Sequence, residues 1–389
     1  MSTCSTAGLT AEQLAIREMT IAFAQQEIAP FAIEWDKNKF FPVETLRAAA
    51  ALGLAAIYVR EKSGGAGLSR LDAALIFEAL ATGCPTVAAY LSIHNMCAWM
   101  IDAFGSDAQR ERWLPGLARM EPLTSYCLTE SSCGSDAAAL RTRAVKRGDA
   151  YFLTGEKQFI SGAGAGGDEH LYLVMARTGA EGASGISAFL IEGGSPGLTL
   201  GQNERKMGWN AQPTRAVIFD DCRAPAENML GPEGRGFAMA MAALDGGRLN
   251  IGACSIGGAQ AALDRALAYM KDRKAFGRRL DEFQALQFRL ADLATELEAA
   301  RALLWRAASA LDAGAEDAGR LCAMAKRVAT DAGFTVADNA LQLLGGYGYL
   351  CDYGLEKIVR DLRVHRILEG TNEIMRLIVA RALLAEKIK

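Results

Sequence analysis

The sequence predicts an α+β protein whose helices and strands occupy separate parts of the 389-residue chain. Apolar residues recur at helical spacing over roughly the first 120 residues and again after about residue 236. The stretch between them contains short strand-like segments separated by turn signals. Because the strands form one block and do not alternate with helices, the pattern argues against a doubly wound sheet. We predict an N-terminal α-helical domain, a middle β domain and a C-terminal helical domain, at residues 1–121, 122–234 and 235–389 respectively.

The N-terminal region consists of amphipathic runs separated by proline and glycine. Its longest apolar run, Ala48–Val59, has 12 residues and lies between Arg47 and Arg60. This run is too short to span a bilayer, so it predicts a buried helix. The first ten residues show neither a secretory core nor an arginine-rich amphipathic pattern. We therefore expect a bacterial cytoplasmic protein, or a mitochondrial matrix protein if the source is eukaryotic and the chain is processed.

The charge, the cysteines and the histidines argue against several classes of function. The net charge is −3 and no run of like charges occurs, which argues against a nucleic-acid groove or an anionic membrane patch. Nine scattered cysteines without a CxxC pair predict buried thiols in a reducing compartment. The histidines, His94, His170 and His365, lack metal-ligand spacing, so we expect no metal site.

The middle region contains four segments that predict strands: Tyr151–Ile160, His170–Arg177, Ile186–Glu192 and Thr214–Phe219. The glycine cluster Gly162–Gly167 formally matches the GxGxxG dinucleotide fingerprint after a strand. That fingerprint needs a helix next, so that the pyrophosphate lies at its N-terminus. Because another strand follows here, we predict a hairpin loop and no Rossmann site.

One carboxylate, Glu369, lies at a break between two helical patterns near the C-terminus. Gly370 interrupts the pattern, and Thr371 is a plausible cap for the helix that follows. Among Ile367 and Leu368 the carboxylate would be partly desolvated, which raises its pKa toward the range useful to a general base. Spacing alone also allows a solvated loop residue or a helix-cap acid.

Two segments of the middle region could hold a planar ligand. Tyr126–Asp136 runs from a strand end into small hydroxylic residues, including Thr129 and Ser135, around a glycine. Phe159 and Ser161 are two residues apart on a strand, which suits ring stacking with one hydrogen bond. An ordinary Ser/Gly-rich connection and a half-buried strand are the alternatives.

Three C-terminal segments carry further candidate residues. Asp245–Arg248 sets an acid and a base at i, i+3 on one helix face, which is also the pattern of a surface ion pair. Lys271–Gly277 ends a helix with cations and a glycine. Gln342–Tyr349 predicts a flexible helix end with exposed amides.

Taken in order, these segments resemble the acyl-CoA dehydrogenase family. The matching motifs are TE…GSD at 129–136, FIS at 159–161, RKAFG at 273–277, QLLGG at 342–346 and EGT at 369–371. The resemblance covers nearly the whole chain, and five ordered motifs argue against chance. It implies a helical N-terminal domain, a middle β-barrel-like sheet domain and a C-terminal four-helix bundle.

The resemblance also implies a reaction, which is α,β-dehydrogenation of an acyl-CoA by FAD with Glu369 as the base. The electron acceptor would be an electron-transfer flavoprotein, and the assembly a homotetramer built as a dimer of dimers. FAD would contact Tyr126, Leu128, Thr129, Ser135, Phe159, Ile160, Ser161, Thr371, Asn372 and Glu373. The FAD of a neighbouring subunit would contact Arg273, Phe276, Phe283, Gln284, Gln342, Gly345 and Gly346. The acyl-CoA path would be lined by Ser135, Asp245, Gly246, Gly247, Arg248 and Arg381.

Within the family, the chain is most similar to members that act on isobutyryl-CoA. MGWN at 207–210, QPTRAVIFDDC at 212–222, LDGGRLNI at 244–251 and VHRILEGTNEIMR at 364–376 carry this similarity. It predicts conversion of isobutyryl-CoA to methacrylyl-CoA in valine breakdown. Some relatives, including the isovaleryl enzymes, place the base where this chain has Gly247, so Glu369 has no competitor. We further predict that Gly246 leaves room for a 2-methyl branch, and that Leu368, where straight-chain members often carry Tyr, reflects a different acyl shape.

Other substrates and functions stay open at this point. 2-Methylbutyryl-CoA and butyryl-CoA are alternative substrates. An acyl-CoA oxidase is an alternative enzyme, although such chains are usually much longer. A DNA-binding flavoprotein of the same fold is a remote alternative, since those carry a basic C-terminal region. Ser131–Cys133 replaces a segment that commonly contains proline in the family, which places the affinity for FAD in question.

Overall fold

The computed structural model describes residues 8–385. Its N-terminal region is helical, with α1 (Ala11–Phe23), α2 (Ala32–Asn38), α3 (Val43–Ala51), α4 (Arg70–Gly83), α5 (Pro85–Phe104) and α6 (Asp107–Leu117). Reciprocal caps fix the start of α4: the Ser69 hydroxyl accepts from the Asp72 N–H, and the Asp72 carboxylate accepts from the Ser69 N–H. Most residues of α4 and α5 are buried, so these two helices form the centre of the region.

The predicted helix over Ala48–Val59 is wrong in its second half. Helix α3 ends at Ala51, and the buried residues after Gly53 form turns. Gly53 has φ +80°, which ends the helix. The Asn95 side chain on α5 then binds the irregular backbone, accepting from the Ile57 N–H and donating to the Leu54 carbonyl. An apolar run indicates burial here, and a side chain distant in sequence supplies the hydrogen bonds that a helix would have made.

The middle region is a sheet with β1 (Leu123–Cys127), β2 (Arg143–Arg147), β3 (Ala150–Ser161), β4 (His170–Arg177), β5 (Ile186–Glu192), β6 (Leu198–Leu200), β7 (Thr214–Pro225) and β8 (Met229–Leu230). The order is β6-β7-β3-β2-β4-β5-β8, with β1 parallel to β4. All four predicted strands are present, and β7 extends six residues beyond its predicted end, from Phe219 to Pro225.

The glycine cluster Gly162–Gly167 does not form the predicted hairpin. It leads from β3 toward β4, and these two strands are not neighbours because β2 lies between them. The next element is a strand, as predicted, and so the dinucleotide fingerprint has no helix to complete it. The pairing of β2 with both strands is a long-range property that local turn signals do not encode.

The C-terminal region is helical, with α7 (Gly236–Asp272), α8 (Gln284–Asp312), α9 (Ala318–Leu344), α10 (Leu355–Arg363) and α11 (Asn372–Ala385). Between α7 and α8 lies a short two-stranded ribbon of β9 (Lys274–Ala275) and β10 (Arg278–Arg279). Helices α7, α8 and α9 pack side by side, and α11 packs on α9. Helix α7 also packs against α4 and α5, so one hydrophobic core joins both helical regions.

Two further observations concern the described residues alone. No helix within residues 8–385 has the length and apolarity to cross a membrane. The cysteines in this part of the chain are free, and they are buried except for Cys351, which is exposed. Cys4 lies outside the described residues, as does the beginning of the N-terminal segment.

Candidate active site

A cavity opens where the two helical regions and the sheet meet. One wall is apolar and comes from α5 and α7, with Ile93, Met96, Met241 and Leu244. The opposite wall comes from the segment after β1 and the end of β3, and it is rich in hydroxyls. The segment between α10 and α11 closes the cavity with Glu369.

Glu369 is held in a strained turn with its carboxylate facing the cavity. Its φ is +56° and that of Gly370 is +84°, so two successive residues adopt left-handed backbone conformations. Oε2 of Glu369 is buried and has no hydrogen-bond partner within residues 8–385. Burial raises the pKa of Glu369 to about 7, against the opposing effect of Arg248 and Lys326. This is the environment expected of a general base and not of a helix cap.

Two cations approach the Glu369 segment through its backbone. The Arg248 guanidinium donates from Nε to the Glu369 carbonyl at 3.3 Å, and its Nη1 pairs with Asp245 at 2.6 Å. Lys326 Nζ donates to the Gly370 carbonyl at 2.8 Å. The Asp245–Arg248 pair is therefore partly buried and orients Arg248 toward the segment, so it is more than a surface ion pair.

The glycines at 246 and 247 face different groups. A Cβ at Gly247 would lie 2.5 Å from Glu369 Oε2, so only glycine leaves the carboxylate its place. A Cβ at Gly246 would meet the Arg70 guanidinium, which stacks on the rings of Tyr58 and Trp99. The predicted room for a 2-methyl branch beside Gly246 is therefore not found, because Arg70 fills that side.

The segment after β1 is fixed by a buried ion pair. The Glu130 carboxylate accepts from Lys157 Nζ at 2.8 Å and from the backbone N–H groups of Arg141 and Thr142 at 2.6 and 2.9 Å. Glu130 and Cys133 also exchange two backbone hydrogen bonds, at 3.0 and 3.2 Å. The turn that lacks the family's proline is thus held by hydrogen bonds on both sides.

Phe159 interrupts the alternation of β3. Its φ is +61° and the register with β7 shifts between Lys157 and Ile160, so a bulge turns the ring outward until it is 62% exposed. The two-residue spacing of Phe159 and Ser161 predicts that they share one face of a regular strand. Both do line the cavity, but the bulge places them there and regular alternation does not.

Comparison with known proteins decides the family. Family models match residues 10–121 as an acyl-CoA dehydrogenase N-terminal domain, 125–222 as the middle domain and 234–384 as the C-terminal domain. The chain belongs to the acyl-CoA dehydrogenase family. It is therefore an oxidoreductase of the FAD-dependent kind that dehydrogenates acyl-CoA thioesters.

Individual relatives cover almost the whole chain. It is 55% identical to a mitochondrial isobutyryl-CoA dehydrogenase of Dictyostelium discoideum and 53% identical to that of Bos taurus, each alignment covering 97% of this chain and 90% of the relative. Among solved structures, butyryl-CoA dehydrogenase of Megasphaera elsdenii is 39% identical with a TM-score of 0.93, covering 98% of this chain and 100% of that one. A glutaryl-CoA dehydrogenase complex with glutaryl-CoA is 34% identical with a TM-score of 0.94, covering 98% of each chain.

The cavity lining has an apolar side and a side with hydroxyl groups and an exposed ring. The Tyr126 hydroxyl is buried beside the cavity and lacks a partner within residues 8–385, so it is free to meet a ligand. Thr129, Ser135 and Ser161 line the same wall, and the exposed ring of Phe159 offers a stacking surface. The apolar α5–α7 wall suits a short acyl chain.

The structure brings together only part of the predicted set. The cavity contains Tyr126, Leu128, Thr129, Ser135, Phe159, Ile160, Ser161, Arg248 and Glu369. A second, more open pocket contains Arg273, Gln342, Gly345 and Gly346. Neither pocket is lined by Phe276, Phe283, Gln284, Thr371, Asn372, Glu373, Asp245, Gly246, Gly247 or Arg381. The Asn372 amide is engaged by Lys326, Thr330 and Asp331, so its side chain has no free polar atom for FAD.

Sequence reasoning did not name several residues that line the cavity. Trp209, Leu244, Ile251 and Ile374 lie within the quoted motifs but were not assigned a role. The others have the spacing of ordinary core residues: Ala89, Ser92, Ile93, Met96, Phe237 and Met241. Lys326 likewise gives no distinct signal, because Arg327 follows it directly and the two residues have the pattern of an ordinary basic pair on a helix. No cluster of metal-binding side chains occurs in the described part of the chain.

Proposed function

We propose that the protein dehydrogenates isobutyryl-CoA to methacrylyl-CoA, with Glu369 as the general base. The observation that carries this proposal is the unpaired, desolvated Glu369 carboxylate, whose pKa is raised to about 7. At neutral pH such a group is partly ionised and still basic enough to take a weakly acidic α-proton. The identity of 53–55% to two isobutyryl-CoA dehydrogenases supports the choice of acyl group.

The chain's own residues then have distinct tasks. Glu369 Oε2 takes the α-proton, and Gly247 leaves the carboxylate the space to do so. The Glu369 N–H has no hydrogen-bond acceptor within residues 8–385, and it would donate to the thioester oxygen as the α-carbon loses its proton. One such donor contributes about 3 kcal/mol to an oxyanion-like transition state. Bound FAD supplies the acceptor for the hydride that leaves the β-carbon.

Other residues bind and orient. Thr129, Ser135, Phe159 and Ser161 would hold the FAD ring, and the α5–α7 wall with Leu368 would exclude water from the acyl chain. Arg248, itself held by Asp245, fixes the Glu369 carbonyl and so aims the side chain. These assignments follow from position in the cavity and from the family resemblance.

We infer further that the enzyme works as a homotetramer and passes electrons to an electron-transfer flavoprotein. Phe276 is 96% exposed, and Phe288 and Tyr349 are also largely exposed, all three in the C-terminal region near the second pocket. Such aromatic surface is typical of subunit contacts. A chain in the solved structure of the electron transferring flavoprotein of Acidaminococcus fermentans is 39% identical with a TM-score of 0.94, which supports this choice of electron acceptor. Valine breakdown in the cytoplasm or the mitochondrial matrix is the corresponding physiological proposal.

Anaerobic titration of the purified yellow enzyme tests the function. Isobutyryl-, 2-methylbutyryl-, butyryl- and isovaleryl-CoA are added separately, and the bleaching of the flavin band is followed. We expect isobutyryl-CoA to bleach fastest, and Glu369→Gln to bind FAD but not bleach. Faster bleaching by butyryl-CoA would overturn the acyl assignment alone. Bleaching by Glu369→Gln at the parent rate would overturn the assignment of the base.

A further inference from the structure

Lys326 is a buried cation with an unusual set of partners. It lies on α9 with 0% of its surface exposed. Removing an ammonium group from water is costly unless hydrogen bonds replace the lost hydration. Within residues 8–385 no carboxylate lies within ion-pair distance of Lys326. Its position therefore depends on neutral oxygens.

Those oxygens belong to the segment that carries Glu369. Nζ donates to the Gly370 carbonyl at 2.8 Å and to Asn372 Oδ1 at 3.0 Å. The Asn372 amide nitrogen donates in turn to Thr330 Oγ1 at 3.0 Å and to Asp331 Oδ1 at 2.9 Å. One helix thus fixes both the residue after Glu369 and the first residue of α11.

The charge of Lys326 also acts on Glu369. The charged groups around Lys326 are Glu369, Asp331 and Glu373, which favour its protonated form, and Arg248, which opposes it. Burial outweighs these effects and lowers the pKa of Lys326 to about 8, so the lysine is still mostly charged at neutral pH. A cation near a carboxylate favours the ionised carboxylate.

We propose that Lys326 is a positioning residue for the dehydrogenation: it fixes the backbone beside Glu369 and places behind the carboxylate a positive charge that favours the basic form. The inference rests on the proposed role of Glu369. Because Lys326 and Arg248 bind the carbonyls of residues 370 and 369, neither occupies Glu369 Oε2. Both cations act on Glu369 from the side of its backbone, and its reactive oxygen stays free for the substrate.

Three substitutions of Lys326 separate the effect of its charge from a purely structural effect. Lys326→Met removes the charge and the hydrogen bonds, whereas Lys326→Gln retains an amide donor but no charge. Lys326→Arg keeps the charge. Thr330→Val is the matched control, because it removes a neutral hydrogen bond from the same cluster and leaves the lysine in place.

Hydrogen exchange on acetyl-CoA measures proton abstraction without hydride transfer. Acetyl-CoA has α-hydrogens but no β-carbon, so it can exchange hydrogen at a base but cannot be dehydrogenated. Exchange of its α-hydrogens in D₂O by the FAD-loaded enzyme is followed by mass spectrometry between pH 6 and 9. Flavin absorbance and thermal unfolding of each variant show whether FAD and fold are retained.

We expect the exchange rate of the parent to rise with its midpoint near the pKa of Glu369. In Lys326→Met and Lys326→Gln the midpoint should move up by about one pH unit, which lowers exchange at pH 7 about fivefold. Lys326→Arg and Thr330→Val should keep the parent midpoint. Unchanged midpoints in both neutral variants, with FAD bound, would overturn the proposal. If Glu369→Gln exchanged as fast as the parent, the proposed base itself would be wrong, independently of Lys326.

Discussion

Two glutamates near the same cavity, the buried Glu130 and the partly buried Glu369, illustrate opposite uses of one residue type. Glu130 accepts hydrogen bonds from Lys157 and from two backbone N–H groups, and these partners hold the pKa of its carboxyl below the usual range despite burial. Glu369 has cations nearby, but they bind backbone carbonyls, and burial raises its pKa to about 7. The difference is that Lys157 and two N–H groups bind the Glu130 carboxylate directly, whereas Arg248 and Lys326 bind only backbone carbonyls of the Glu369 segment.

This contrast teaches how a buried acid is kept structural or reactive. Direct pairing satisfies Glu130, makes it a poor base and fixes the cavity wall. Leaving Oε2 of Glu369 unpaired costs free energy in the folded state but keeps a proton acceptor available. The glycine at 247 completes the arrangement, because any side chain there would displace the carboxylate.

The largest expected effect comes from replacing Glu369, the reactive one of the two glutamates. Glu369→Gln should lower kcat for isobutyryl-CoA by about 10³-fold, since proton abstraction loses its base. The double variant Glu369→Gly with Gly247→Glu should recover part of this loss, because the Cβ of the new glutamate would lie 2.5 Å from the old oxygen position and its carboxylate would extend from there. Steady-state and single-turnover rates check both. A double variant no faster than Glu369→Gly alone would contradict the geometric argument.

Breaking the ion pair between Lys157 and Glu130 should lower the free energy of unfolding more than it lowers the enzymatic activity. Lys157→Met leaves Glu130 buried and unpaired, which should lower the free energy of unfolding by about 3–5 kcal/mol. Adding Glu130→Gln to Lys157→Met should restore part of the lost free energy of unfolding, since the uncompensated charge disappears. Arg147→Met is the control, because the exposed Arg147–Asp221 pair should contribute under about 1 kcal/mol. Urea denaturation of the FAD-loaded proteins measures these differences, and equal losses in all three would refute the account.

The two glutamates should also give stability opposite dependences on pH. Glu369 keeps its proton in the folded state up to about pH 7 but loses it near 4.5 when unfolded, so its contribution falls as pH rises through that window. Stability of Glu369→Gln relative to the parent should therefore increase between pH 5 and 8 by up to about 3 kcal/mol. Glu130, with its pKa lowered, contributes above about pH 4.5 and loses that contribution as pH falls. Denaturation at several pH values checks the signs, and parallel pH curves for the variants and the parent would contradict them.

The smallest effect concerns the residue next to the base. Leu368 lines the cavity, and Leu368→Tyr should shift the ratio of kcat/KM from isobutyryl-CoA toward butyryl-CoA by about tenfold, as a ring fills space used by the branch. Ile367→Tyr is the control, because Ile367 is exposed and is not a cavity residue. An unchanged preference for the branched acyl group in Leu368→Tyr would remove Leu368 from the account of specificity.

Much of this arrangement could be predicted from local sequence. The helical periods on either side of Glu369 and the glycine after it predicted the break, and the alternating segments of the middle region predicted four strands. These features depend on neighbouring residues, so they are visible without a fold. The motif resemblance added the family, which the domain matches confirm.

What could not be predicted depends on contacts between distant residues. Lys326 reaches Gly370 only because α9 packs beneath the segment before α11. Likewise Arg70 lies against Gly246, so a glycine that predicted free space faces a guanidinium instead. The bulge at Phe159 and the insertion of β2 between β3 and β4 also follow from sheet pairing. Local periodicity carries none of this information.

The central claim is that burial and cations placed at the backbone set the pKa of Glu369 near neutrality. Infrared difference spectra of the protonated carboxyl band, parent minus Glu369→Gln, measured from pH 4 to 9 would test it directly. We predict a band that disappears with a midpoint near pH 7. A midpoint at or below about 4.5, the ordinary value for glutamate, would show that Glu369 is a solvated or paired acid, and would contradict the account.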